Sequence, residues 1–190
     1  MSSNPVRVRL ARFAEAEQLP AIERSATQAF LALPELAWVA TDDTLPVEAH
    51  RHFIEIGGSW VAELEGRLVG FLCAEAYQSD LHLWEVAVER TAQGQGVGRG
   101  LIAAAEGHAR RVGLRRLTLT TFRDVPWNQG LYEHLGFRVL ERHQLDPRLS
   151  YVLDLEARQG LPLERRCAMA RRLTGTPPLS AGLSLPSADA

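Results

Sequence analysis

The residues most suggestive of chemistry form a run in which glycine alternates with other residues, Gln-Gly-Gln-Gly-Val-Gly-Arg-Gly at 93–100. A strand-like apolar segment at 81–88 precedes this run, and a helical pattern follows it. The first N–H groups of a helix lack intrahelical partners, and the helix dipole favours negative charge beside them. The order strand, glycine run, helix therefore predicts an anion-binding site.

Two common kinds of phosphate loop do not fit these glycines. A P-loop needs a Lys-Ser or Lys-Thr pair after its last glycine, and neither follows here. The dinucleotide fingerprint G-x-G-x-x-G fails in both frames, because Arg99 or Leu101 stands where the third glycine belongs. A glycine-rich turn that binds nothing remains the alternative, although first-turn glycines weaken a helix and favour close approach of a ligand.

A second pattern lies downstream and strengthens the first. The segment Leu-Tyr-Glu-His-Leu-Gly-Phe at 131–137 follows a predicted strand at 114–122. The spacing Gln93-x-x-Gly96-x-Gly98 resembles the acetyl-CoA-binding signature of the GNAT superfamily of N-acetyltransferases. The Leu-Tyr-x-x-x-Gly-Phe element resembles the last conserved helix of the same superfamily. The resemblance covers residues 6–145 well and the C-terminal part weakly.

This resemblance implies an α+β fold, a central mixed, mostly antiparallel sheet of about six or seven strands with helices on both faces. It also implies that acetyl-CoA is the co-substrate and that a primary amine, on a small molecule or a peptide, accepts the acetyl group. We expect the acetyltransferase domain to span residues 1–173. Residues 174–190 are rich in Pro, Ser, Gly and Ala, which is typical of a disordered tail.

The resemblance also assigns cofactor-binding residues. The backbone of the predicted strand would pair with the pantetheine arm, and the glycine run would bind the pyrophosphate. These expected cofactor-binding residues are Val86, Ala87, Val88, Gln93, Gly94, Gln95, Gly96, Val97, Gly98 and Arg99.

Asn128 is a further expected cofactor-binding residue, but it departs from the pattern. Many members of the superfamily carry an Asn seven residues before the Tyr, where this chain has Val125. Asn128 lies on the same helix face as Tyr132, one turn earlier. It either binds the cofactor or begins the helix.

Tyr132 matches the general acid of the superfamily, since a phenol is protonated at neutral pH and can protonate the CoA sulfur. A structural Tyr under the cofactor is the alternative. Glu85 interrupts an apolar strand, where a carboxylate is costly unless it is paired or used. We expect Glu85 to be the base, with an Arg-paired structural role, Glu75 or a water chain as alternatives. His82 is expected to be structural.

Composition limits the remaining function classes. The chain has 190 residues, 46% of them hydrophobic, and a formal net charge of −2, so it fits one globular domain without a basic field for nucleic acid. Its 2 cysteines lie far apart, and no metal-ligand spacing is present. No membrane span is predicted, and the expected location is the cytoplasm. A homodimer and a non-catalytic acyl-CoA sensor stay open.

The periodicity of the other segments predicts alternating strands and helices. Adjacent strands are expected at 59–65, 68–77 and 81–88, and a helix is expected at 47–56. An Asp-Pro pair at 146–147 predicts the start of a helix through Arg158. The remaining predictions are strands at 6–10, 137–145 and 166–173, helices at 19–33 and 126–135, and a loop at 34–46.

Overall fold

A computed structural model describes residues 6–173, so the predicted tail at 174–190 lies outside the described residues. Seven strands form one sheet in the order β1-β2-β3-β4-β5-β7-β6. The β4–β5 pair is parallel, and the other neighbouring pairs are antiparallel. The strands are β1 Arg7–Leu10, β2 Ser59–Leu64, β3 Arg67–Tyr77, β4 Asp80–Val88, β5 Arg116–Phe122, β6 Arg138–Val139 and β7 Arg166–Arg172.

Helices cover both faces of this sheet, which confirms the predicted fold class. Helix α3 packs on one face, and α1, α2 and α5 pack on the other. The five α-helices of the described residues are α1 Leu19–Thr27, α2 Val47–Glu55, α3 Val97–Arg111, α4 Gln129–His134 and α5 Pro147–Arg158.

The buried stripe of α3 holds this helix against the sheet. Leu101 and Ala105 are fully buried, whereas Val112 is 46% exposed because the helix has ended before it. Gly70 on β3 lets α3 approach closely, since a Cβ there would lie 3.0 Å from Cγ1 of Val97 and 3.3 Å from Cδ1 of Leu101.

The sheet opens between β4 and β5. The two strands pair only between Asp80–Leu83 and Arg116–Leu119. Beyond that point, β4 stays with β3 and β5 stays with β7. A β-bulge leaves Trp84 without a Cα partner on β3, and such a bulge bends the strand and increases its twist. The result is an open edge along the second half of β4.

The N-terminal prediction of a helix at 19–33 followed by a loop is wrong beyond Thr27. The chain forms 3-10 helices at Gln28–Ala32 and Pro34–Thr41. Pro34 cannot continue an α-helix, and the tighter turns let Leu36 pack with Phe122 of β5. This segment therefore packs against the end of the sheet.

Two C-terminal predictions also change in extent. The helix expected at 126–135 begins only at Gln129. The strand expected at 137–145 pairs over Arg138–Val139 and then turns into a 3-10 helix, where the Gln144 Oε1 accepts the Glu141 N–H at 2.8 Å. A longer strand is absent there because this local capping takes the backbone out of the ladder.

Candidate active site

The open edge of β4 presents main-chain groups on the side that β5 has left. The Glu89 N–H donates to the Val69 carbonyl at 2.8 Å, so Glu89 faces β3. Backbone groups alternate in direction along a strand. The N–H group of Ala87 therefore also points toward β3, whereas the N–H groups of Val86 and Val88 point toward the gap left by β5. An extended ligand could pair with this edge as an added strand does.

The glycine loop follows directly from this edge. Gly94 and Gly96 have φ of 75° and 81°, a region that side chains with a Cβ rarely adopt. Gly96 is the N-cap of α3, and no side chain caps the N–H groups of the first turn. The loop therefore fits an anion, because it offers free donors at the positive end of a 15-residue helix.

Side chains within the loop fix its shape. The Gln93 Nε2 donates to the Val88 carbonyl at 3.0 Å, and the Gln95 Nε2 donates to the Thr91 carbonyl at 3.1 Å. The first of these bonds ties the loop to the end of β4. Not every glycine of the run serves a ligand, because a Cβ at Gly100 would lie 3.3 Å from Cγ2 of Val8 on β1.

Glu85 lies on the open half of β4, half-buried and on the same face as α1 and α5. Burial and the Glu23 carboxylate together raise the pKa of its carboxyl to about 8, while Arg166 acts in the opposite direction. A carboxyl with a pKa near neutral is suited to accept a proton.

Tyr132 lies on α4 and is half-buried, with its ring 5.7 Å from that of Phe137 in an edge-to-face arrangement. Burial raises the pKa of its phenol, and the negative charge of Glu85 adds to the effect. The hydroxyl is therefore protonated at neutral pH. No described residue binds this hydroxyl, so it is available as a donor.

Asn128 is the N-cap residue of α4, but its side chain caps nothing. Its carbonyl accepts the Tyr132 N–H at 3.1 Å, which fixes the first turn. The side-chain amide is therefore not the structural cap that the sequence left open as an alternative.

Glu75 and His82, the other candidates on this sheet, lie before the opening. They are Cα partners on β3 and β4, and the Tyr77 hydroxyl hydrogen-bonds to Glu75. His82 is fully buried, with its Nδ1 3.0 Å from the Thr118 Oγ1, and burial lowers its pKa to about 3. Both positions support a structural role rather than that of the base.

Sequence reasoning missed three charged residues that surround Glu85. Glu23 comes from α1, Glu156 from α5 and Arg166 from the start of β7. All three act on the pKa of Glu85. Their spacing along the chain carries no signal, since each belongs to a helix or strand with an ordinary amphipathic pattern. Only the fold brings them together.

Comparisons with known proteins agree with this geometry. The chain belongs to the acetyltransferase (GNAT) family, whose family model matches residues 25–137, more than half of the chain. This membership places the chain in a family of acetyltransferases.

Individual relatives are more distant. The mycothiol acetyltransferase of Jonesia denitrificans is 40% identical over 79 residues, which cover 40% of this chain but only 25% of that protein. The PaiA N-acetyltransferase of Thermoplasma acidophilum, solved with coenzyme A, superposes with a TM-score of 0.67 at 14% identity, covering 89% of this chain and 99% of that one. The ribosomal-protein-S18-alanine N-acetyltransferase of Escherichia coli gives 0.61 at 16% identity, covering 96% and 100%.

Residues 6–173 also bear on two other kinds of site. In this range, no helix is both long enough and apolar enough to cross a membrane. The same residues contain no group of three or more His, Cys, Asp or Glu side chains placed to hold a metal ion.

Proposed function

We propose that this chain transfers an acetyl group from acetyl-CoA to a primary amine by direct attack. The observation that carries the proposal is the open edge of β4, which leads into the uncapped glycine loop and has Glu85 and Tyr132 beside it. A thioester arm laid along this edge would end between a base and an acid.

The cofactor would be held mainly by backbone groups. The free N–H groups of Val86 and Val88 would pair with the pantetheine arm. Ala87 lies between them and keeps its own N–H directed at β3. The loop from Gln93 to Arg99 would bind the pyrophosphate through the first-turn N–H groups of α3. The free amide of Asn128 would add a hydrogen bond from α4.

Glu85 would accept the proton that the acceptor ammonium must lose. The nitrogen lone pair then attacks the thioester carbonyl carbon, and the carbonyl oxygen becomes an oxyanion. The Val86 N–H would donate to that oxygen. Raising the pKa of Glu85 to about 8 makes it a stronger base than an exposed carboxylate.

Tyr132 would complete the transfer. Collapse of the tetrahedral intermediate breaks the carbon–sulfur bond, and the leaving thiolate takes the phenolic proton. The nitrogen would lose its second proton to the phenolate, which restores Tyr132, and Glu85 would release its proton to solvent. The products are an amide and CoA thiol. The phenol can fill this role because it is protonated at neutral pH.

The test combines binding with turnover. Calorimetry measures acetyl-CoA affinity, and a thiol-release assay follows transfer to a panel of primary amines and the α-amino acids that match them. We expect binding and acetyl-CoA-dependent release with at least one acceptor. Acetyl-CoA binding without release on any acceptor would contradict the proposed reaction and favour the acyl-CoA sensor.

A further inference from the structure

The charged groups beside Glu85 differ in whether they are already paired. Glu23 and Glu85 are carboxylates without an ion-pair partner among the described residues, whereas Glu156 and Arg166 form an ion pair. Which of these groups is available decides what kind of acceptor can bind. The inference below rests on the proposed function and narrows its substrate class.

Glu23 faces the same side of the sheet as Glu85. Its neighbour Ile22 packs in one apolar cluster with Ala87 of β4, which places this turn of α1 over the open half of the strand. The Glu23 Oε2 accepts the Leu45 N–H at 3.0 Å, so the carboxylate is fixed by the segment before α2. Its other oxygen is left free to bind a donor.

Arg166 is already held in an ion pair by Glu156. Its Nε donates to the Glu156 Oε2 and its Nη2 to the Oε1, both at 2.9 Å, and the guanidinium lies 4.7 Å from the centroid of the Phe122 ring. The Thr120 hydroxyl donates to the same Glu156 oxygen at 2.5 Å. The side chains of Arg166 and Glu156 are only 10% and 15% exposed. This cation is therefore not offered to a substrate carboxylate.

The other cation near Glu23 points elsewhere. Arg24 follows it on α1 and is exposed, with its Nη1 3.4 Å from the Thr44 Oγ1. Arg24 is not among the groups that act on Glu85. The surroundings of the base thus present two carboxyl groups without an ion-pair partner and one ion pair whose charges cancel.

We propose that the acceptor is a primary amine with no carboxylate beside its amino group, and that Glu23 binds its ammonium while Glu85 takes the proton. A free α-amino acid would bring its carboxylate next to Glu23 and Glu85 with no cation to meet it. Like charges placed opposite each other in a binding site strongly disfavour the wrong partner. Decarboxylated amines and α-amides can therefore bind as acceptors, and free amino acids are disfavoured.

The test uses acceptors that differ only in this carboxylate. The panel pairs 2-phenylethylamine with L-phenylalanine, histamine with L-histidine and cadaverine with L-lysine, and it includes L-phenylalanine amide as a size control. We expect kcat/KM for accepted amines and the amide to exceed that of the matched acid by about tenfold or more. For L-lysine, only transfer to the α-amine beside the carboxylate is compared with transfer to cadaverine. Mass spectrometry identifies the acetylated amine.

Two variants show whether the named residues set this preference. Glu23→Gln should raise KM for accepted amines about tenfold, with acetyl-CoA affinity unchanged, because one anionic contact is lost. Glu156→Gln should leave Arg166 unpaired and reduce the discrimination against the matched acids. Glu55→Gln, an exposed change on α2, is the control, and melting temperatures are measured for all variants.

The outcomes separate this inference from the proposed function. Transfer to α-amino acids as fast as to the matched amines or amide would overturn the inference and leave the acetyl transfer in place. Unchanged amine kinetics in folded Glu23→Gln would also overturn it. Bound acetyl-CoA with no transfer to any acceptor would contradict the proposed function, and this inference would fall with it.

Discussion

The two sides of the β4 edge are built from different parts of the chain. The expected cofactor side uses backbone groups of one continuous stretch, from Val86 through the glycine loop into α3. The expected acceptor side uses side chains from α1, α5 and β7 that meet only in the folded molecule. The first side should depend on the backbone conformation and on the glycines that permit it, whereas the second should depend on the charge of each residue. Mutations on the two sides should therefore affect different kinetic constants.

The largest effect is expected on the cofactor side. Gly96→Asp adds a negative charge where the pyrophosphate would bind, at a residue with φ of 81°. We expect acetyl-CoA affinity to fall at least about 100-fold by calorimetry, because two anions would compete for the same N–H donors. Gly107→Asp adds the same charge at an exposed, open position in the middle of α3 and should bind normally. Equal affinities in the two folded variants would refute the pyrophosphate site.

The next effect separates chemistry from cofactor binding. Tyr132→Phe removes one hydroxyl, and kcat should fall about 100-fold, the loss expected for a general acid. Acetyl-CoA affinity and melting temperature should stay near wild type, since the ring still packs on Phe137. Tyr151→Phe on α5, where the side chain is 58% exposed, is the control. Wild-type kcat under conditions where chemistry limits the rate would remove Tyr132 from the mechanism.

A smaller effect concerns pH. Glu85 must be ionised to accept a proton, and its pKa is raised to about 8 by burial and by Glu23. The wild-type kcat should therefore rise with pH and level off above about 8. Glu85→Gln should lose this limb and run at a low, nearly pH-independent rate. Glu75→Gln should keep the limb. An unchanged limb in Glu85→Gln would exclude Glu85 as the base.

The smallest effect concerns stability. The pKa of Glu85 is higher in the folded chain than in the unfolded one, so folding favours its protonated form. This contribution is full below the unfolded pKa of about 4.5 and is lost as pH rises toward 8. Glu85→Gln keeps a neutral side chain at every pH. Its melting temperature should match wild type near pH 4 and exceed it by a few degrees near pH 9. A constant difference across this range would contradict a buried, titrating Glu85.

The sequence predicted the expected cofactor side of the β4 edge better than the expected acceptor side. The glycine loop, α3 and the adjacent strands were predictable because their signals are local: turn glycines, a helical stripe and alternating strands. The helix start at Asp146 was predicted for the same reason and is confirmed, because the Asp146 Oδ1 accepts the Leu149 N–H at 2.8 Å.

The rest depends on contacts between distant parts of the chain. Nothing around Glu23 or Arg166 marks either residue as a neighbour of Glu85. The prediction of helix and loop over residues 28–41 is wrong because the apolar residues of this segment pack on Phe122 of β5. No local periodicity reveals that contact. The short pairing of β6 has a different cause, a local cap at Glu141 that ends the strand early despite the apolar residues beyond it. The sequence therefore pointed to candidates on the expected cofactor side and to Glu85. It did not point to Glu23, Glu156 or Arg166 on the expected acceptor side.

The most direct test of the open β4 edge is hydrogen exchange of single amides, followed by NMR. The N–H groups of Val86 and Val88 face the gap, while Ala87 faces β3 and serves as an internal control. We expect Val86 and Val88 to exchange quickly in the free protein and to become strongly protected when acetyl-CoA binds, with little change at Ala87. Unchanged exchange at Val86 and Val88 with acetyl-CoA bound would contradict the account that the cofactor pairs with this strand.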